Sequence, residues 1–239
     1  MKKLLPKKVA GFTLMETVIA IGVLVVMLTA FMAVFGPATR GIRRSINVQE
    51  ADRLTSTLEK ELSTNRPTAT GAEDITAFHK AYNWILSSHQ SADVVFAYQY
   101  RGNPNQLRRD GTMEPYVTKG GQAGKDFVVQ PMFRRRSDTE FINDLKALEG
   151  RVFFVKMTQL VFDGTNGLKI GESGKITPPT GSTPLAGTGA DSFPEAVIPF
   201  TAEFFEIQTT DPNFLKTGGK FDVAKYTKPM FTRNLAVRR

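Results

Sequence analysis

Residues 7–35 read KKVAGFTLMETVIAIGVLVVMLTAFMAVF, and the interpretation of the whole chain begins from this stretch. The run from Thr17 to Phe35 is nineteen residues long and contains no charged side chain. As a helix it would be about 28 Å long, which is close to the hydrocarbon thickness of a bilayer. The sequence therefore predicts one membrane-spanning helix near the N-terminus, within residues 12–35.

A short basic leader, residues 1–11, precedes this run. It carries four lysines and no acidic residue, and its only small-residue junction, Ala10-Gly11, lies before the apolar run. An ordinary secretory signal is cleaved after its apolar core, so cleavage here would leave the apolar helix on the mature protein. The lysines keep the leader cytoplasmic and direct the rest of the chain outward, although Arg40, Arg43 and Arg44 act against this bias.

The pattern Gly11-Phe12-Thr13-Leu14-x-Glu16 resembles the class III signal of type IV pilins and type II secretion pseudopilins. The resemblance implies that a prepilin peptidase cleaves between Gly11 and Phe12 and methylates the amine of Phe12. It also implies that Glu16 pairs with this amine and aligns the subunit during filament assembly. A second interpretation places the Glu16 carboxylate in the headgroup zone of the membrane, where its charge costs little.

The helix is predicted to continue beyond the membrane over residues 36–64, with a kink at Gly36-Pro37. An amphipathic continuation is indicated by four apolar residues at spacings of three and four: Ala51, Leu54, Leu58 and Leu62. A stop is predicted at Asn65-Arg66-Pro67. This arrangement resembles the long N-terminal helix of pilins. Residues 49–54 and 58–62 look most like the larger J/W-type minor pilins and pseudopilins, although any amphipathic helix would account for the same residues.

The sequence of residues 65–239 predicts one globular α+β head. The resemblance to pilins implies the pilin fold, in which an antiparallel sheet packs on the N-terminal helix. Long loops are predicted near 101–125 and 171–193, where Gly, Pro and small polar residues cluster. Strands are predicted at 94–100, 127–133, 151–162, 168–170, 197–209 and 231–237. One short helix is predicted after a cap at Asp74, and another from a capping box at Ser137 and Glu140 to Gly150.

The sequence contains no recognisable catalytic constellation. His79 and His89 are ten residues apart, which does not suit a shared metal on one face of a helix. A cysteine nucleophile, a Gly-x-Ser-x-Gly elbow and a phosphate loop are all missing from the sequence. We therefore predict that the protein is not an enzyme and has no catalytic residue, metal site or cofactor.

A Gly-rich turn and a strand each allow two interpretations. Asp163, Asn166 and Glu172 could bring oxygen ligands to a calcium ion, but their spacing is not that of an EF-hand, and a plain hairpin turn is favoured. Phe204 and Phe205 must face opposite sides of a strand, so one of them could mark a subunit contact.

Arg134-Arg135-Arg136 could contact lipid phosphates, DNA or an acidic partner. A solvated surface turn is favoured because no interleaved aromatic residues accompany the arginines.

Composition limits the possible partners of the head. The 239 residues carry a formal net charge of +8, of which four charges belong to the leader, leaving +4 for the mature side chains. This charge is modest, so a nucleic-acid partner is not expected. Because the chain has no cysteine, an exported head must be stabilised by packing rather than by disulfides.

The sequence thus predicts a structural subunit, minor rather than major, of a type IV pilus or a type II secretion pseudopilus. The expected location is the bacterial inner membrane, in a single pass, with the head in the periplasm or outside and the subunit incorporated in a filament. The implied partners are prepilin peptidase, other pilin subunits and an inner-membrane assembly platform. Two alternatives stay open: a single-pass membrane enzyme or sensor, and an adhesion or DNA-uptake pilin whose head binds a ligand.

Overall fold

A computed structural model describes residues 13–65, 76–164, 167–179 and 182–239, without the side chains of Asn47 and Ala51. The chain divides into two compact units, Met1–Asn47 and Val48–Arg239. The elements are α1 (Leu14–Ser63), α2 (Ala77–Ser87), β1 (Val95–Leu107), β2 (Met113–Pro115), β3 (Val128–Arg135), α3 (Thr139–Asp144), a 3-10 turn (Leu145–Ala147), β4 (Leu148–Phe162), β5 (Leu168–Ile170), β6 (Val197–Ile207), α4 (Pro212–Leu215), a second 3-10 turn (Val223–Lys225) and β7 (Phe231–Arg238).

The first unit contains the apolar part of α1. An 18-residue window of this helix has a mean hydropathy of 2.8, and none of that window is buried. By length and composition the helix can therefore cross a membrane. Pro37 lies inside α1, and the helix continues past it.

The second unit is built on one antiparallel sheet of seven strands, which confirms the predicted α+β class. β1 has partners on both edges, because Val95 pairs with Arg135 of β3 and with Val155 of β4. Across the sheet, β6 lies beside β4, and β7 lies beside β6. The short strands β2 and β5 pair with the ends of β1 and β4.

One face of this sheet is covered by α2 and by the last turns of α1. Leu54, Leu58 and Leu62 are at most 1% exposed and belong to the core cluster on this face. Three residues of the predicted apolar stripe are thus confirmed, whereas the side chain of Ala51 lies outside the description. The helix ends at Ser63, just before the predicted stop. The head was predicted to begin at residue 65, just after the end of α1, whereas the compact unit that contains the head already begins at Val48.

A buried ion pair joins α1 to α2. Lys80 Nζ lies 3.2 Å from Glu61 Oε1, and it also donates to the backbone carbonyls of Glu61 and Thr64. Lys80 therefore satisfies carbonyls at the C-terminus of α1, where no intrahelical donor is left.

The other face of the sheet is covered by α3 and by the segment 212–226. The core here is largely aromatic: Phe96, Phe154 and Phe205 pack with Phe221 and Tyr226 of that segment. Phe204 and Phe205 do face opposite sides, as predicted. Both are at most 3% exposed, so the suggestion that one marks a subunit contact is wrong for this structure.

The predicted loop at 101–125 begins too early. β1 runs on to Leu107 and pairs with β2, with a register irregularity between Asn103 and Leu107. Gly and Pro are tolerated at such a bulge near a sheet edge, which is why turn-forming residues did not end the strand. The predicted loop at 171–193 agrees with the structure over its described residues, which contain no helix or strand.

Two predicted caps differ from the observed ones. Asp74 lies outside the described residues, and α2 is capped by Thr76, whose Oγ1 accepts from His79 N at 3.2 Å. α3 is capped by Asp138 rather than Ser137, because Asp138 accepts from Glu140 N at 2.9 Å. The predicted stop at Gly150 is also wrong, since β4 has already begun by then.

Candidate functional site

The candidate site is the start of α1. Gly11 and Phe12, the predicted cleavage and methylation residues, lie outside the described part of the chain. Glu16 lies in the first turn. Its Oε2 accepts hydrogen bonds from Thr13 N and from Thr13 Oγ1, both at 2.9 Å, and Glu16 N lies 3.3 Å from Thr13 Oγ1.

This reciprocal pairing is a capping box, in which Thr13 and Glu16 satisfy donors that the helix cannot. The negative charge also faces the positive end of the helix dipole. The carboxylate therefore has partners within its own chain. The sequence interpretation missed this role, although the spacing Thr13-x-x-Glu16 is the known signature of such a box.

The surface of α1 is without charge over residues 17–39 and is largely apolar there. Exposed side chains include Val18, Ile19, Leu24, Met27 and Phe31, each more than half exposed. A surface of this kind is stable only when lipid or other apolar helices cover it.

The hydroxyl groups in this tract are all bonded within the helix. Thr17 Oγ1 donates to Leu14 O at 2.8 Å, and Thr29 Oγ1 donates to Val25 O at 2.7 Å. Hydrocarbon offers no partners to a polar group, so a spanning helix must satisfy its hydroxyls in this way. The geometry of the tract thus meets both requirements of a bilayer: an apolar surface and no unsatisfied hydroxyl.

The basic triplet in the head is not a surface turn, which corrects the favoured interpretation. Arg134 and Arg136 are 6% and 4% exposed, and Arg134 and Arg135 belong to β3. Arg136 donates to backbone carbonyls of Ser91, Leu215 and Lys216 at 2.7–3.1 Å and lies over the Phe221 ring. It orders the segment 212–226 instead of presenting charge to a partner.

Arg134 lies at the centre of a buried ion network. Its guanidinium contacts Asp110 at 2.7 Å, Asp138 at 3.0 Å and Asp144 at 3.2 Å. It also donates to Thr112 Oγ1 at 3.1 Å. One cation thus joins the β1–β2 connection to the start and the end of α3.

Asp144 is fully buried and has three side-chain donors. Arg108 Nη2 donates to Oδ1 at 2.7 Å, while Arg134 Nε and Tyr98 OH donate to Oδ2 at 3.2 and 2.5 Å. Burial, together with the charge of Asp144, raises the pKa of Tyr98 well above its usual value, so the phenol keeps the proton that it donates. The network is therefore a structural cluster in which the Asp144 carboxylate has all its partners within the head, whereas Arg108 Nη1 is buried without a hydrogen-bond partner among the described residues.

Asp110 gives this network a pH dependence. Burial acts to raise its pKa, but hydrogen bonds from Thr112 and the charge of Arg134 outweigh burial and hold the pKa below its usual range. Because the pKa of Asp110 is lower in the folded protein than in the unfolded chain, ionised Asp110 stabilises the fold at pH values above the unfolded pKa of about 3.9. This contribution is lost as the pH falls through the pKa of the folded protein.

We expect the stability difference between wild type and Asp110→Asn, measured by denaturant unfolding, to shrink from pH 5 towards pH 2. A constant difference would contradict this.

The other polar candidates have local partners. Asp163 lies 3.1 Å from Lys169, and Glu172 lies 2.9 Å from Lys175, while Asn166 falls outside the description. The predicted hairpin is confirmed, since β5 pairs with the end of β4. Over the described residues, no group of three or more acidic, histidine or cysteine side chains could hold a metal ion.

The described part of the second unit includes the following two cavities. One of about 300 Å³ lies between the end of α1 and β7. The other, of about 490 Å³, is lined by the β4–β5 hairpin and by residues 177–179. His79 is not among the residues that line either cavity. Its Nδ1 is 2.7 Å from Thr76 Oγ1 and its Nε2 is 2.9 Å from Asp191, so it links α2 to a loop.

Comparison of the chain with protein-family models, with curated proteins and with solved structures gives no match.

Proposed function

We propose that the protein is a pilin-like subunit, minor rather than major, of a type IV pilus or a type II secretion pseudopilus. The observation that carries this proposal is the exposed apolar surface of α1, which directly follows the Gly11-Phe12 junction and the lysine leader in sequence. A soluble protein would bury such a surface, whereas a subunit that moves from a bilayer into a bundle of like helices needs it exposed.

The mechanism begins with processing in the inner membrane. A prepilin peptidase removes the leader after Gly11 and methylates the amine of Phe12. The apolar helix then holds the subunit in the bilayer with its α+β head on the outer side. A cytoplasmic ATPase drives filament assembly, which transfers this helix from lipid into the filament core. In this proposal the head has the pilin fold.

Two features support this function over the alternatives. A membrane-anchored enzyme or sensor needs a spanning helix, but it needs neither the Gly-Phe junction nor an acidic residue at Glu16. A DNA-uptake head would use a contiguous basic stripe, yet Arg134 and Arg136 are buried and bonded to groups of the head itself. The structural subunit therefore remains the function that best accounts for the helix and its leader.

The assembly role of Glu16 can be separated from its capping role by substitution. Glu16→Gln keeps the acceptor oxygen that a capping box needs but removes the charge, whereas Thr13→Val removes the cap and keeps the charge. If Glu16 pairs with the Phe12 amine, Glu16→Gln should insert and be processed normally but lose incorporation. The loss should exceed that expected for an exposed ion pair, because the partner charge would be left unpaired inside the filament.

The measurement is the amount of each variant that co-purifies with filament subunits, divided by its amount in the inner membrane. Thr13→Val is the control and should incorporate nearly as wild type does. Wild-type incorporation of Glu16→Gln would show that capping is enough and that the charge pair has no role in assembly.

A further inference from the structure

Three arginines follow the apolar tract of α1. Residues 17–39 contain no charged side chain, and Arg40, Arg43 and Arg44 come directly after them. All three are exposed. No acidic residue lies between Glu16 and Glu50, so none of the arginines has a carboxylate at the helical spacing of three or four.

The length of the uncharged tract determines where these arginines lie relative to a bilayer. Twenty-three helical residues are about 34 Å long, slightly more than the hydrocarbon thickness of about 30 Å. If Glu16 lies at one interface, Arg40 reaches the opposite one, and Arg43 and Arg44 lie within about one further turn. This is the depth of the lipid phosphates.

The arginines also share one side of the helix. At 100° per residue, the three positions lie within an arc of about 100°. Ile42, which is 60% exposed, lies on the opposite side, and Ile46, which is 52% exposed, lies next to the edge of the arc formed by Arg43. A guanidinium binds two phosphate oxygens at once through parallel hydrogen bonds, which suits such a cluster to phosphate groups.

We propose that Arg40, Arg43 and Arg44 form a phosphate-binding face that holds anionic phospholipid headgroups in the leaflet opposite the leader. This inference rests on the proposed function, because it requires α1 to span the membrane. Three positive charges on the outward side act against the orientation that the leader lysines set. Anionic headgroups there neutralise these charges and fix the depth of the helix until the subunit leaves the bilayer.

The test uses the full-length protein in vesicles that contain phosphatidylcholine and phosphatidylglycerol. Spin-labelled versions of both lipids report which one is held next to the protein. The test variant is Arg40→Gln/Arg43→Gln/Arg44→Gln. The control is Lys216→Gln/Lys220→Gln/Lys225→Gln, which makes the same change of charge at exposed positions in the head.

We expect wild type and control to prefer phosphatidylglycerol several-fold, and the arginine variant to lose most of this preference. Equal preference in wild type and arginine variant would overturn the inference. So would an arginine variant that keeps its lipid preference but no longer co-purifies with filament subunits, since the face would then bind an acidic protein.

Carbonate extraction of the same vesicles distinguishes failure of this inference from failure of the proposed function. If all three proteins resist extraction and show no lipid preference, only the phosphate-binding face is rejected. If wild type is extracted, α1 does not span the bilayer, and the proposed function fails together with this inference.

Discussion

A fragment beginning at Ser45 is expected to fold and stay soluble without detergent, whereas a fragment beginning at Thr76 is expected to remain unfolded. The longer fragment keeps Leu54, Leu58 and Leu62, which are at most 1% exposed. Burying each leucine contributes about 1.5–3 kcal/mol, and the three together approach the 5–15 kcal/mol stability of a typical domain. The shorter fragment also leaves Lys80 without Glu61, its partner across the helix junction.

Size-exclusion chromatography and thermal unfolding followed by circular dichroism would measure this difference. A point variant in the longer fragment tests the same packing: Leu58→Ala should cost about 2–5 kcal/mol, whereas the exposed neighbour Glu59→Ala should change stability by less than about 0.5 kcal/mol. Cooperative unfolding of the Thr76 fragment would show that the end of α1 is not needed for the head to fold. Aggregation of the Ser45 fragment, with full-length protein soluble, would show that the predicted boundary of the head is wrong.

The second large effect is expected at Arg134. Arg134→Ala should destabilise the head by about 3–5 kcal/mol, because Asp110, Asp138 and Asp144 would lose their shared cation inside the protein. For a domain of this size the unfolding temperature should fall by about 10 °C or more.

Arg135→Ala is the matched control, because Arg135 is the adjacent residue of β3 and is only partly buried. It should change the unfolding temperature by no more than about 2 °C, as for most surface substitutions. Equal effects of the two substitutions would mean that the network does not stabilise the head. That result would return the triplet to its first interpretation as a solvated basic cluster.

The central strands of the head are predictable because their sequence signal is dense. β-branched and aromatic residues make up seven of the fifteen residues of β4 and seven of the eleven of β6, and the predicted ranges differ from the observed ones by only a few residues. The end of β1 was missed because Gly102 and Pro104 signal a turn in isolation, whereas the structure places them beside a register irregularity. The strand propensity of a local stretch cannot show that pairing within the folded sheet will tolerate turn-forming residues.

Burial of charge was the hardest property to predict. Arg134 and Arg136 alternate with Phe133 and Arg135, and Met132 on their own face belongs to the aromatic core of the sheet. The sequence favoured a surface turn because arginine is seldom buried and no interleaved aromatic residues accompany the three arginines. The partners that make burial favourable, such as Asp110 and Asp144, are distant in sequence, so no local pattern could identify them.

The candidate site at the N-terminus, in contrast to the buried charges, rests almost entirely on sequence. The leader and the Gly11-Phe12 junction can be read directly from the chain, and the structure adds the capping box of Thr13 and Glu16.

The central claim is tested most directly by the mature N-terminus of the protein. Full-length protein would be produced in a host with a prepilin peptidase, extracted from the membrane, and analysed by intact mass and N-terminal sequencing. We predict that the mature chain begins at Phe12, carries one methyl group on its amine and retains the apolar helix. Replacing Gly11 with a bulky residue should leave the leader in place. A wild-type protein that keeps Met1 in this host, or one that begins after Phe35, would contradict the account.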